Sequence, residues 1–81
     1  MNLSLVTPLN AKTMQVAWLE LNTPVGNFVI LPGHAPMIVT LSPNKTLTYC
    51  LSSGKQESCT VHRGIAEINR HTATIIMDEA A

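Results

Sequence analysis

Ile30-Leu31-Pro32-Gly33-His34-Ala35-Pro36, with Phe28 just before it and Met37-Ile38 just after, is the stretch on which the fold turns. Two prolines and a glycine within five residues cannot lie inside a helix or a central strand, because proline fixes φ and lacks the N–H that a ladder needs. The apolar runs on either side read as buried strands. The segment is therefore a sharply shaped corner between two core elements, with a histidine at its centre.

Outward from that corner, turn signals recur at short intervals: Thr7-Pro8-Leu9-Asn10, Asn22-Thr23-Pro24, Ser42-Pro43-Asn44, Ser53-Gly54-Lys55 and Asn69-Arg70-His71. Short strand-like runs separated by such clusters indicate an all-β sandwich or barrel. The runs are 2–6, 13–21, 26–31, 37–41, 46–52, 56–61, 64–69 and 72–78. No helical periodicity lasts ten residues without a proline or a β-branched run. Two runs alternate cleanly: Leu47, Tyr49 and Leu51 against Thr46, Thr48, Cys50 and Ser52, and Ala73, Ile75 and Met77 against Thr72, Thr74 and Ile76. Such patterning lets one face pack on an opposite sheet. Run 13–21 alternates poorly, with Val16, Trp18, Leu19 and Leu21 all apolar, and either a β-bulge or burial on both faces accounts for it. The expectation is one domain over residues 1–81, a small flattened β-sandwich of about 8–10 strands.

A chain of 81 residues buries only about 60% of its unfolded surface, so a partner is plausible. Hydrophobic residues make up 46% and charged residues 12%, about half the usual share of about 25%. Some apolar surface is thus expected to face something other than water. Five Lys/Arg balance five Asp/Glu. Lys12, Lys45, Lys55, Arg63 and Arg70 are scattered among turns and strand ends, which excludes a phosphate-binding stripe and, with it, nucleic acid as a partner. No run approaches the roughly 18 apolar residues that span a bilayer, and the amino terminus lacks the pattern of a signal peptide. The expectation is a soluble chain kept in the cytoplasm.

Few residues invite chemistry. His34 has two readings: an interface residue at the corner, or an imidazole bonding nearby backbone to hold the corner's shape. A catalytic histidine needs a nucleophile or an orienting carboxylate, and nothing in the sequence supplies one. Gly54-Lys55 suits a two-residue type II′ hairpin, which sets residue 50 opposite 59. Cys50 and Cys59 would then be close enough for a disulfide, although a cytoplasmic setting favours reduced, part-buried thiols. His62 and His71 add metal-ligand types, but no C-x-x-C or H-x3-H spacing is present, so no metal site is assigned. Glu67 sits between Ala66 and Ile68 in a strand, where a structural or interface hydrogen bond is the expected role. Asp78 and Glu79 end the last strand and read as solvated. Trp18 reads as core or sheet-surface packing. Gly-x-Ser-x-Gly, a P-loop and paired catalytic carboxylates are absent, so neither catalytic nor cofactor-binding residues are assigned.

Four separated segments resemble the epsilon subunit of F-type ATP synthases in its amino-terminal β-sandwich domain. Leu5-Val6-Thr7-Pro8 resembles the family's opening strand and turn. Gly26, Phe28, Ile30 and the Pro-Gly-His-Ala-Pro run match its signature corner at the same mutual spacing. Val61, followed by Gly64, Ile65, Glu67 and Ile68, resembles its Gly-Gly, apolar, Val-Glu-Val strand. Thr74-Ile75-Ile76 with Asp78 resembles the closing strand. The sequence departs from the family where a glycine is usual near Met14 or Gln15, where an acidic residue is common at Asn27, and where Arg63 replaces one of the paired glycines.

The resemblance implies a non-catalytic rotor subunit of the central stalk, coupling the membrane c-ring to the gamma shaft during proton-driven ATP synthesis. It implies that Thr7, His34 and Val39 lie near gamma and that Asn27 and Phe28 face the polar loops of the c-ring, with Pro32, Gly33 and Pro36 shaping the corner. It also implies a peripheral place in the complex on the cytoplasmic face of a bacterial inner membrane. The family's carboxy-terminal pair of helices would begin near Ala81, so the role expected of these residues excludes the ATP-sensing, inhibitory arm. Two rival readings are a free-standing β-sandwich module for a different partner, and a small metal- or thiol-dependent enzyme using His62, His71 and the cysteines.

Overall fold

The computed structural model describes residues 1–79, the last of them by its backbone alone; the reading of the Glu79 carboxylate as solvated lies outside the described residues. Seven strands follow one another: β1 (Asn2–Thr7), β2 (Asn10–Thr23), β3 (Gly26–Ile30), β4 (Met37–Thr40), β5 (Lys45–Leu51), β6 (Gln56–Ile68) and β7 (Thr72–Glu79). Their order is β1-β7-β6-β5-β2-β3. A further β1–β2 pairing closes β1, β7, β6, β5 and β2 into a ring, and β4 hangs on β6. The only parallel pair is β1 with β7; every other described pair is antiparallel.

Two strands are long because each serves both layers of the sandwich. The first half of β2 pairs with β1 and its second half with β3 and β5. The first half of β6 pairs with β5, and its second half lies between β4 and β7. One layer is therefore β4-β6-β7-β1-β2 and the other β3-β2-β5-β6. The molecule is flattened, 27 × 25 × 18 Å along its principal axes.

The sequence predicts eight runs where seven strands form. Residues 56–61 and 64–69 are one strand, because the interruption at His62–Arg63 is a bulge in its pairing with β7, between Val61 and Arg63. A second bulge, between Val16 and Trp18, resolves the uneven pattern of β2. One extra residue there keeps both Val16 and Leu19 inside while Trp18 stands half-buried on the outer surface opposite Cys50. Elsewhere the alternation holds: Leu47 and Tyr49 of β5, and Ala73, Ile75 and Met77 of β7, point inward. With Leu3, Leu19, Leu21, Ile30, Val61 and Ile68 they form one contiguous core between the layers. Each fully buried aliphatic side chain of this kind contributes about 1.5–3 kcal/mol over its exposed state.

The cysteines are not opposite one another. Leu51 N–H donates to Lys55 O at 2.8 Å and Gly54 N–H to Leu51 O at 2.8 Å, so the β5–β6 hairpin turns through three residues, with Gly54 at φ +97°. A three-residue loop of this type places its left-handed residue last, whereas the two-residue loop expected from Gly54-Lys55 would place it first. Cys50 therefore faces Gln56, and Cys59 faces Leu47. Neither cysteine is in a disulfide; Cys50 is buried and Cys59 half-buried.

Gly64 explains a second local requirement. A Cβ built there would lie 2.8 Å from the Ile76 carbonyl oxygen and 2.9 Å from the Met77 Cβ, atoms that cannot swing aside. Gly64→Ala is expected to destabilise the domain by about 1–3 kcal/mol through forced separation of β6 and β7, read as a lower urea midpoint at unchanged slope. The hairpin register carries its own test: mild oxidation followed by non-reducing mass spectrometry should find no Cys50–Cys59 bridge. In the folded state Cys59 should react with a thiol reagent faster than Cys50.

Candidate functional site

The corner at 31–36 is a type II β-turn. His34 N–H donates to Leu31 O at 3.1 Å, Pro32 takes the position that wants φ near −65°, and Gly33 supplies φ +88°. The turn is tied down from outside: Gly33 N–H donates to Arg70 O at 2.8 Å in the β6–β7 turn, and that turn's His71 O accepts from Asn2 N–H at 3.0 Å. One end of the molecule is thus a knot of three chain segments. The His34 ring is half-buried, and its Nδ1 donates to Ala35 O at 2.7 Å. This is the plainer of the two sequence readings, a side chain bracing its own corner. The same corner sends β4 onto the edge of the β6–β7–β1 layer, where it shapes the outer surface.

One row of that surface is apolar, whereas the opposite surface is mostly polar. Across β4, β6, β7, β1 and β2 the outward residues Thr40, Ile65, Ile76, Val6 and Ala11 stand in register as a row. The next row is Ile38, Glu67, Thr74, Ser4 and Thr13, with the Ser4 and Thr13 hydroxyls 3.2 Å apart. Ile38 is 69% exposed, Ile76 54% and Ile65 39%. A groove of about 650 Å³ runs along the first row from Pro8 and Thr7 to Thr40, closed at one side by Arg63 and Asp78. Those two form an exposed ion pair, Nε to Oδ2 3.4 Å. The bulge beside Arg63 turns that side chain outward while Val61 stays inside.

The outward residues of the other layer are mostly polar: Glu20, Thr48 and Ser58 in one row, and Thr46 and Thr60 in another, with Trp18 and Val29 as exceptions. Water satisfies such a face; it does not satisfy three isoleucines in neighbouring rows. The β4-β6-β7-β1 face is the candidate docking surface.

The residues singled out in the sequence fall as follows. Thr7 opens onto the groove and its hydroxyl donates to Asn10 O at 3.2 Å. His34 sits at the corner leading into β4. Val39 turns inward against the core, and its neighbours Ile38 and Thr40 carry the outer surface. Asn27 is exposed at the start of β3, its Nδ2 donating to Asn22 Oδ1 at 3.1 Å, while Phe28 packs against the core. Pro32, Gly33 and Pro36 form the turn and its exit. Sequence reasoning passed over Ile38, Ile65 and Ile76. Their signal was apolar residues at both parities of a strand, as in Ile75-Ile76, which a one-sided sheet does not need.

His62 and His71 do not join the cysteines: His62 Nδ1 donates to Asn44 Oδ1 at 3.0 Å, and His71 lies in the β6–β7 turn. Among the described residues no group of three or more His, Cys, Asp or Glu side chains could hold a metal ion. Nor, among them, is any helix long and apolar enough to cross a membrane.

Comparison with known proteins agrees with the geometry. Residues 1–81 match the family model of the ATP synthase Delta/Epsilon chain β-sandwich domain. The chain is 36% identical over 55 residues to the ATP synthase epsilon chain of Acinetobacter baumannii (strain AYE), covering 68% of this chain and 39% of that relative. Against the epsilon chain of Paracoccus denitrificans it is 33% identical over 79 residues, covering 96% and 53%. It thus spans about half the length, or less, of these curated relatives. In fold it resembles a chain of the Euglena gracilis mitochondrial ATP synthase OSCP/F1/c-ring structure, with TM-score 0.88, 23% identity and coverage of 96% and 51%. A chain of the Tetrahymena thermophila mitochondrial ATP synthase central stalk/c-ring structure gives 0.83, 17%, 99% and 65%. The chain belongs to the ATP synthase delta/epsilon β-sandwich family.

Proposed function

We propose that this sandwich is the amino-terminal part of an ATP synthase epsilon subunit and works as a non-catalytic coupling element of the central stalk. In that role it forms and breaks no covalent bonds. It binds the gamma shaft on one surface and the polar loops of the c-ring on another, so that rotation of the ring passes to the shaft without slip. Its place is peripheral, held at a bacterial inner membrane on the cytoplasmic side through the complex.

The observation that carries this reading is the exposed apolar row Val6-Ile76-Ile65-Thr40 on one face of a family member whose opposite face is polar. Covering that row removes isoleucine side chains from water, at roughly 25 cal/mol per Å². The reading is supported by Thr7 at one end of the groove and by the His34 corner leading into β4, both expected on the gamma side. Val39 supports it from beneath by packing inward. Asn27 and Phe28 lie on β3, in the other layer, where a second partner can be met without competition for the first face.

A coupling element must be stiff as well as sticky. The closed ring of β1, β7, β6, β5 and β2 leaves only β3 and β4 with a single neighbouring strand among the described strands. The proline corner that joins those two fixes their relation.

Binding to the purified cognate gamma subunit tests the reading. The parent chain should form a stable complex, and Ile65→Asp and Ile76→Asp should each weaken it about 10-fold or more, as expected of core interface positions. Thr60→Asp on the opposite face should leave affinity unchanged. Failure of the parent chain to bind gamma at high concentration, with folding confirmed by circular dichroism, would remove the proposal.

A further inference from the structure

We propose that Glu67 is a charged anchor of the docking face, receiving a lysine or arginine side chain of the subunit that covers it. The inference rests on the proposed docking of a stalk subunit on the β4-β6-β7-β1 surface and specifies what that partner must bring.

Glu67 stands in the outward row between Ile38 of β4 and Thr74 of β7. Its strand neighbour on the same side, Ile65, belongs to the apolar row. Among the described residues its carboxylate has no hydrogen bond or ion pair. Arg63, on the same side of the strand, is four residues away, about 13 Å at about 3.3 Å per residue, and is engaged with Asp78; Arg70, exposed in the β6–β7 turn, forms no ion pair with Glu67. In the free domain water solvates Glu67 and nothing more is needed. Once a partner covers the isoleucines around it, that water leaves, and a bare carboxylate under an apolar lid is strongly unfavourable. The covering surface must therefore supply a cation opposite Glu67.

The ground beside Glu67 suits a long basic side chain. A groove of about 440 Å³ is lined by Pro36, Met37, Ile38, Glu67 and Asn69. Its apolar walls match the methylene stem of a lysine or arginine, and the carboxylate lies where the charged head would end. Asn69 donates from Nδ2 to the Thr72 hydroxyl at 3.5 Å, which leaves its amide oxygen as a second acceptor. The Arg63–Asp78 pair on the far side of the apolar row balances itself and makes no such demand. The face therefore asks for an apolar strip with one basic residue on the Glu67 side.

Affinity for the purified cognate gamma subunit, measured for the parent chain, Glu67→Gln, Glu67→Lys and Ile65→Asp at low and high salt, decides the matter. Glu67→Gln should weaken binding roughly 30-fold and Glu67→Lys more, as when one partner of a covered charge pair is removed. The parent's affinity should fall with salt more steeply than that of Glu67→Gln. A charge-reversed gamma variant, Lys or Arg→Glu at the contacting position, should bind Glu67→Lys better than it binds the parent. If Glu67→Gln binds as tightly as the parent while Ile65→Asp does not, the anchor is overturned and the docking face stands. If Ile65→Asp also binds normally, the docking face itself is wrong.

Discussion

Everything in this domain depends on two long strands crossing from one layer of the sandwich to the other without turning their apolar side chains out. The side-chain period of a strand is two, so a strand that bends around a corner and changes partners risks presenting its wrong face to the core. Both long strands avoid this with one extra residue. In β2 the bulge between Val16 and Trp18 lets Val16 and Leu19, three apart, both point inward. In β6 the bulge between Val61 and Arg63 lets Val61 and Ala66, five apart, do the same. Remove either extra residue and half of that strand would expose its aliphatic side chains. The ring of strands, the single core and the flatness of the molecule follow from these two insertions.

The same bulges mark where the sequence could and could not be read. Clean alternation in β5 and β7, and the Pro-Gly turn at the corner, were visible because each rests on residues adjacent in the chain. The uneven stretch around Val16–Leu21 showed that something interrupts the period, but a bulge and two-sided burial leave the same trace in one strand. His62–Arg63 looked like a loop between two strands for a related reason. Two consecutive outward residues break alternation whether the chain leaves the sheet or stays in it. The cysteine register failed on a finer point. Ser52-Ser53-Gly54-Lys55 accommodates a left-handed glycine as the first residue of a two-residue loop or the last of a three-residue one. Only the partner strand decides between them.

The candidate docking face was harder to see than the fold, and the reason is physical. Matching positions drew attention to Val39 and Phe28, yet both turn inward, because a strand's neighbours at odd spacing belong to the opposite surface. The outward residues Ile38, Ile65 and Ile76 looked like ordinary core in a chain that is 46% hydrophobic. Their meaning appears only when register sets Thr40, Ile65, Ile76 and Val6 side by side across four strands. A surface of this kind is a property of the sheet and not of any one segment.

The fate of the two neighbouring positions 63 and 64 shows how the scaffold and the face divide their demands. The resemblance places paired glycines here, and this chain keeps only the second. At Gly64 the backbone of β7 passes so close that no Cβ fits, so the residue is dictated by the ring itself. At Arg63 the bulge turns the side chain into solvent at the rim of the groove, where 77% of it is exposed, and glycine is not needed for packing. Position 63 is therefore free to vary, while position 64 is not. A sandwich built this way can change the side chains at its rim and still keep its strands locked together, because the constraint that holds them lies one residue away and on the opposite side of the sheet.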